Sequence, residues 1–306
     1  MVSVYADSGL LRTNDVAAML ALSEQSHALN RDDLSVAFTH LTLLHFLGQG
    51  TCNELFGRSR SKKRFASARQ FIRMDKSSDT TNAQLVRMSR CYWLAEALFN
   101  LQFCEGVNRV IADIRTGNLQ AAWEELQCGV YIFQSQIRPT FLPTNAIMGK
   151  RSPDIAIELA GRAMFCEVEG KSEDTIPSPK TVHHTLDHAR KQLPTEHPGI
   201  IYLRVPEHWK GQVYLDAALQ PIRKFFSRTN RVVALLLRSE RQIEDCGALA
   251  SRALTLLIRN PYSNRTDEFV KTVLRLLDQP VQTWMTFDFL VDRVCEQLNA
   301  LGRREA

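Results

Sequence analysis

The pattern of hydrophobic and polar residues divides the chain into a helical first part, a mixed middle part and a helical end. Over 14–115, apolar residues recur at helical spacing, most regularly over 82–100. In the middle part, short apolar runs bounded by Pro, Gly or Asn are typical of strands. The pattern therefore predicts an N-terminal all-α domain over 1–115, an α/β domain over 116–262 and a C-terminal helical appendage over 263–306.

The first elements of the mixed part are a helix, a strand and a hairpin. The helix is predicted after Asn118, where apolar residues at spacings of three and four form one stripe. A first strand is predicted over 136–142. In the hairpin, alternating residues over 155–159 and 164–170 flank a turn that contains Gly161.

The later elements of the mixed part alternate between strands and helices. A helix over 181–193 precedes a buried strand over 199–205, and a helix over 215–228 precedes a second buried strand over 231–238. A further apolar run over 253–259 predicts an edge strand. Because strand, helix and strand follow one another, the two buried strands are expected to be parallel.

The second strand of the hairpin carries a row of charged residues. Side chains on a strand alternate between its two faces, so Glu167, Glu169 and Lys171 share one face, and Cys166 and Val168 take the other. Cys166 is accordingly interpreted as a core residue. Glu167 is expected to be either a surface residue or, if this face binds a metal ion, a ligand of that ion beside Glu169.

Asp154 stands where the first strand of the hairpin begins, and pairing across the turn brings it towards Glu169. Carboxylates with a lysine beside them are the groups that a hard cation and an anionic substrate require. The alternative is a solvated strand face, on which Glu and Lys commonly alternate.

The segment Pro153-Asp154, followed fifteen positions after Asp154 by Glu169-Gly170-Lys171, resembles the PD-(D/E)xK phosphodiesterase superfamily. The resemblance implies a restriction-endonuclease-like core, which is a central mixed sheet flanked by helices. It also implies that Asp154, Glu169 and the carbonyl of Gly170 bind Mg²⁺, with Mn²⁺ as a substitute. Lys171 would stabilise the attacking water or the charge on the phosphate.

Two helices supply further candidate residues under the same resemblance. Glu125 is followed by Leu and is similar to the metal-facing Glu of a helix before the sheet, with Glu124 as the alternative. Gln192 is similar to the helix-borne Gln or Lys at the edge of such sites. His184 and His188 lie on the same helix at a spacing of four, which permits zinc binding but fits a polar helix face better.

The composition fits a globular protein with a substantial core. The chain has 306 residues, of which 44% are hydrophobic, and its net charge of +5 permits contact with a polyanion. Seven cysteines without a CxxC pair favour buried thiols in a reducing cytoplasm. Neither an export signal nor a run of apolar residues long enough for a membrane span is predicted.

A basic segment over 56–76 interrupts the helical first part. Its densest stretch is expected either to contact the phosphates of nucleic acid or to form a solvated face. The residues concerned are Arg58, Arg60, Lys62, Lys63 and Arg64.

The leading interpretation is a metal-dependent nuclease that acts on DNA, with a homodimer as a possible assembly implied by the resemblance. The first alternative is a catalytically degenerate module on the same fold that binds nucleic acid or another protein. The second is a helical interaction protein in which 1–115 carries the function. The sequence contains neither a P-loop nor a G-x-S-x-G motif, which argues against the corresponding hydrolases.

Overall fold

A computed structural model gives the fold of the chain. It describes residues 9–22, 30–56, 65, 71–72, 81–143, 152–171, 175–176, 178–206, 209, 211–245, 248–279 and 284–302.

Five described helices precede the sheet, the first four in the part of the chain with helical spacing and the fifth after Asn118, where a helix was predicted. They are α1 (Thr13–Ala21), α2 (Arg31–Phe56), α3 (Thr81–Leu101), α4 (Val107–Thr116) and α5 (Leu119–Gln134). The second of them is interrupted at Gly48, whose φ of 79° lies in the left-handed region that a residue without Cβ adopts readily. The predicted contacts of the basic segment with nucleic acid lie outside the described residues.

The strands of the sheet follow α5, and two of the connections between them contain a helix. In chain order the elements are β1 (Pro139–Phe141), β2 (Ile155–Leu159), β3 (Arg162–Gly170), α6 (Pro179–Gln192), β4 (Gly199–Val205), α7 (Gly211–Phe226), β5 (Val232–Asp245) and β6 (Ala248–Arg259). Two further helices complete the described part, α8 (Glu268–Asp278) and α9 (Phe287–Gly302).

The described strands form one six-stranded mixed sheet in the order β1-β2-β3-β4-β5-β6. The hairpin predicted from alternation is confirmed, with Ile155 opposite Cys166 and Leu159 opposite Arg162 in β2 and β3. Strands β3, β4 and β5 are parallel, as expected for strands joined through helices. The chain therefore has an α/β fold with a mixed sheet and helices around it.

Each face of the sheet is covered by a different group of helices. On one face α5 packs on β3, and the N-terminal helices extend the same core. On the other face α6 and α7 pack on alternate residues of β4 and β5. This second layer contains Val182, Leu186, Ile201, Leu203, Ile222, Phe225, Leu235 and Leu237.

Side chains from all three predicted parts meet in one hydrophobic cluster. Phe38 from α2, Trp123 from α5 and Val294 from α9 are each fully buried in it. The division of the chain at 115 and 262 stays a prediction. None of the described helices combines the length and the apolar character that crossing a membrane requires.

Candidate functional site

A cleft of about 660 Å³ lies at the carboxyl end of β3, where α5 approaches from one face of the sheet and α6 from the other. Its lining comes from the start of α5, the residue before β2, the end of β3 with the loop after it, and one side of α6. The lining residues are Asn118, Gln120, Ala121, Glu124, Glu125, Asp154, Glu167, Val168, Glu169, Gly170, Lys171, Thr175, Thr181 and His188.

Asp154 is fixed at the edge of the hairpin by hydrogen bonds on both its backbone and its side chain, and its carbonyl also accepts from the N–H of Leu142 at 2.8 Å. The backbone N–H of Asp154 donates to the carbonyl of Cys166 at 3.1 Å, and its Oδ2 accepts from the N–H of Val168 at 2.8 Å. Burial, together with repulsion from Glu125 and Glu169, raises the pKa of Asp154 to about 7. The sequence expectation that pairing brings Asp154 towards the end of β3 is therefore correct.

The end of β3 presents Glu169 and Lys171 to the cleft. Glu169 Oε1 lies 2.7 Å from Nδ1 of His188, which reaches it from α6. The main chain of Lys171 is held on both sides by β4, because its N–H donates to the carbonyl of Arg204 at 3.1 Å and its carbonyl accepts from Nη2 of Arg204 at 2.8 Å. The backbone from which the Lys171 side chain extends is thus held by both the main chain and the buried guanidinium of Arg204.

Glu125 lies in the second turn of α5 and is paired with Arg109 of α4. Arg109 donates to both oxygens of the carboxylate, with Nη1 at 3.0 Å from Oε1 and Nη2 bonded to Oε2. Burial raises the pKa of Glu125. Arg109 lowers this pKa only in part, and repulsion from Asp113 raises it further. The side chain of Glu125 is thus buried at the cleft, although it lies outside the apolar stripe of its helix.

Glu167 is the least satisfied acid in the cleft. The residue is 7% exposed, and its Oε2 has no hydrogen-bond partner among the described residues. Burial, followed by repulsion from Asp154 and Glu169, raises its pKa far above the usual range of a carboxyl group. Of the two interpretations offered by the sequence, a surface residue is ruled out by this burial.

Glu124 lies in the wall of the cleft and forms a buried ion pair with Arg204 of β4. The side chains are 2% and 1% exposed, and Nε of Arg204 donates to Oε1 of Glu124. The side chain of Glu124 passes directly over Gly170, where a Cβ would lie 2.9 Å from its Cγ. Gly170 therefore has a packing role in addition to the carbonyl that the resemblance assigns to a metal ion.

The cleft brings together five of the six residues that were predicted for the site. Glu125, Asp154, Glu169, Gly170 and Lys171 all line it. The sixth, Gln192, lies at the end of α6 and is absent from the described lining. The helix runs opposite to β3, so its earlier turns approach the end of that strand.

His188 occupies the position by the acids that the resemblance assigned to Gln192. The sequence contained a signal for it, since His184, His188 and Gln192 recur every four residues on one side of α6. Only the direction of the helix relative to β3 selects His188 from this series. That direction follows from the parallel pairing of β3 and β4.

The donor set of the cleft suits a hard divalent cation. Asp154, Glu167 and Glu169 supply carboxylate oxygens, which Mg²⁺ prefers, and a cation would satisfy Oε2 of Glu167 and relieve the repulsion among these acids. No group of three or more His, Cys, Asp or Glu in the described ranges is already arranged around a common metal position. Two of the cleft acids already have partners, since Arg109 engages Glu125 and His188 engages Glu169.

Similarity to known proteins gives no independent assignment of this cleft. Comparisons of the chain with protein-family models, with curated proteins and with solved structures found no match.

Proposed function

We propose that the chain is a metal-dependent nuclease that hydrolyses phosphodiester bonds of DNA, on a restriction-endonuclease-like fold. One observation carries the proposal. One cleft is lined by Asp154, Glu169 and Lys171, the residues of the sequence motif, together with the buried Glu125 of α5. Convergence of acids and an ammonium from separate elements at one cavity is the arrangement that such chemistry needs.

The order of elements supports the fold that is proposed. A helix, three antiparallel strands, a crossover helix and a parallel strand follow one another from α5 to β4. This is the order that the resemblance implies for the core. The cleft lies at the carboxyl end of β3, beside its parallel neighbour β4, where α/β sheets commonly place their sites.

Asp154 and Glu169 would hold Mg²⁺, with Glu167 as a third carboxylate and Gly170 contributing its carbonyl. When bound, the ion lowers the pKa of a coordinated water and neutralises charge on the phosphate. Because Arg109 already engages both oxygens of Glu125, we assign Glu125 to contact through water. This bidentate pair also opposes the rise in the pKa of Glu125 that burial causes.

Lys171 is assigned to the anionic phosphate. Its ammonium would stabilise the attacking water and the negative charge that develops on the phosphoryl oxygens. Arg204 fixes the backbone on both sides of this residue, so the ammonium extends from a defined position. Preorganised charge of this kind accelerates a reaction because it costs no rearrangement during the chemical step.

A specific observation favours a second candidate, a module on the same fold that binds nucleic acid or a protein without cutting. Arg109 and His188 engage two of the cleft acids, as a protein without a metal ion would require. Titration of the chain with Mn²⁺ by calorimetry distinguishes the two candidates. The nuclease takes up the ion at the cleft acids, and the non-cutting module does not.

The test of activity is cleavage of labelled DNA with Mg²⁺, with Mn²⁺ and with EDTA. The variants are Asp154→Asn and Lys171→Ala, and the matched controls are Glu158→Gln on the exposed part of the same hairpin and Lys271→Ala on α8. We expect cleavage that depends on the metal, is reduced at least about 100-fold in both site variants and is unchanged in both controls. Full activity of either site variant would exclude the assignment.

A further inference from the structure

The outer surface of α6 carries a stripe of basic side chains. Lys180, His184, His188 and Lys191 are all exposed, and their spacings of four, four and three place them within about 80° of the helix circumference. At a rise of about 1.5 Å per residue, the stripe is about 17 Å long. A charged helix face is usually only solvated, so its position and its neighbours decide what it means.

The stripe runs past the cleft. Thr181 and His188 line the cleft, and Nδ1 of His188 lies 2.7 Å from Oε1 of Glu169. Lys180 is thus beside the cleft, and Lys191 lies at the far end of the helix. A molecule that lies along the stripe would also pass over the cleft acids and Lys171.

The charge of the two lysines is not neutralised by their own helix. The acid of α6, Asp187, lies at the edge of the stripe, four residues before Lys191, but it is engaged by His183 at 3.2 Å and by Arg190 at 3.4 Å. Within the part of the chain that the structure describes, neither Lys180 nor Lys191 forms an ion pair with an acid. The stripe therefore presents charge of one sign next to a cleft that contains mostly carboxylates.

We infer that this stripe binds the sugar-phosphate backbone of one nucleic acid strand and guides it over the cleft. Successive phosphates of a duplex strand advance by about 3.4 Å along its axis, so the stripe spans about five of them. Lysine ammonium groups contact phosphate as point charges, and imidazoles can add hydrogen bonds. Such contacts fix position and orientation without reading the base sequence.

The inference rests on the proposed function, because it names the strand that the cleft would cut. It is tested by binding without hydrolysis, so the two can fail separately. The probe is a short fluorescein-labelled DNA duplex, and its anisotropy is titrated with the full chain in EDTA at several salt concentrations. The test variant is Lys180→Gln with Lys191→Gln, and the control is Lys271→Gln with Arg275→Gln on α8, which changes the charge equally on the other side of the sheet.

Each phosphate contact contributes about 0.9 to the slope of log K against log salt. We therefore expect the test variant to bind about tenfold more weakly or worse, with a slope lower by about 1.8, and the control to bind like the original chain. The chemistry variant Asp154→Asn should retain its binding in EDTA even if cleavage is lost.

Three results would overturn the inference. They are no measurable binding by the original chain, equal weakening in the test and control pairs, and an unchanged affinity in the test pair. Vesicles of phosphatidylserine and phosphatidylcholine provide a comparison surface. If the lysine pair supports binding to the vesicles but not to the duplex, the stripe serves an anionic membrane and the inference is wrong.

Discussion

Substitution of Arg204 tests whether the buried ion pair of Glu124 and Arg204 in the wall of the cleft holds the site together. The variant Arg204→Met leaves a side chain of similar length without the guanidinium. It removes the partner of Glu124 and the donor to the carbonyl of Lys171. Both side chains of the pair are almost fully buried, so water cannot replace the lost contacts.

The expected cost follows from this burial. Removal of one partner of a buried pair costs about 3–5 kcal/mol. Burial already raises the pKa of Glu124 to about 7 although Arg204 is present, so the unpaired carboxyl takes up a proton near neutral pH and the cost falls towards the lower limit. Loss of the hydrogen bond to Lys171 adds about 1 kcal/mol. The free energy of unfolding should therefore fall by about 4 kcal/mol.

Urea denaturation near neutral pH measures this change, and a double-mutant cycle isolates the pair. The second single variant is Glu124→Leu, which leaves a buried guanidinium without its carboxylate and should be at least as costly. The double variant Glu124→Leu with Arg204→Met replaces the pair by apolar groups, and we expect it to recover about 2 kcal/mol or more relative to the sum of the single variants. A loss below about 1 kcal/mol in Arg204→Met, or simple additivity, would refute this account of the pair.

Three further predictions concern substitutions of Gly170, Glu96 and His188. Gly170→Ala should destabilise the chain by about 1–3 kcal/mol in urea denaturation, because the new Cβ would lie 2.9 Å from Cγ of Glu124; unchanged stability would contradict this packing. Burial raises the pKa of Glu96 to about 7 in the folded chain, above the pKa of the same group in the unfolded chain. The free energy of unfolding therefore has its full value below the pKa of the unfolded chain and falls as the pH rises towards 7. The loss amounts to about 3 kcal/mol, and Glu96→Gln should flatten the pH profile of unfolding by this amount, whereas parallel profiles would disprove the assignment. His188→Ala should weaken Mn²⁺ binding in calorimetry about tenfold, because Glu169 loses the group that orients it, and equal or tighter binding would show that the histidine only competes with the ion.

The alternation of side chains along β3 made much of the site predictable. A period of two is enough to place Glu167 and Glu169 on the face opposite Cys166, and the structure agrees with this assignment. The same period cannot tell how deeply a face is buried. Glu167 is enclosed because α6 and α5 close over the end of β3, and their packing depends on contacts between distant parts of the sequence.

The long hairpin at the edge of the sheet was predicted only in part. The apolar runs over 231–238 and 253–259 indicated two short strands, but β5 extends to Asp245 and β6 begins at Ala248. The sequence between the runs is largely polar, which hides the strand signal. A distant contact helps to stabilise this polar part of the strand: the buried Glu240 pairs at 3.0 Å with Arg90 of α3, which lies 150 residues away in the sequence.

The burial of two acids on α5 was likewise not predictable from the local sequence pattern. Glu124 and Glu125 lie outside the apolar stripe of this helix, a position that is usually solvated. Both are buried because each meets an arginine from another element, Arg204 of β4 and Arg109 of α4. No local pattern specifies such partners, since a buried charge depends on the tertiary contact that compensates it.

The most direct test of the central claim is an anomalous difference map from crystals of the chain soaked in Mn²⁺. The account predicts one strong peak in the cleft, at about 2.0–2.3 Å from carboxylate oxygens of Asp154 and Glu169. The absence of a peak there, with the cleft accessible in the crystal, or a peak only elsewhere would contradict the claim that these acids bind a divalent ion.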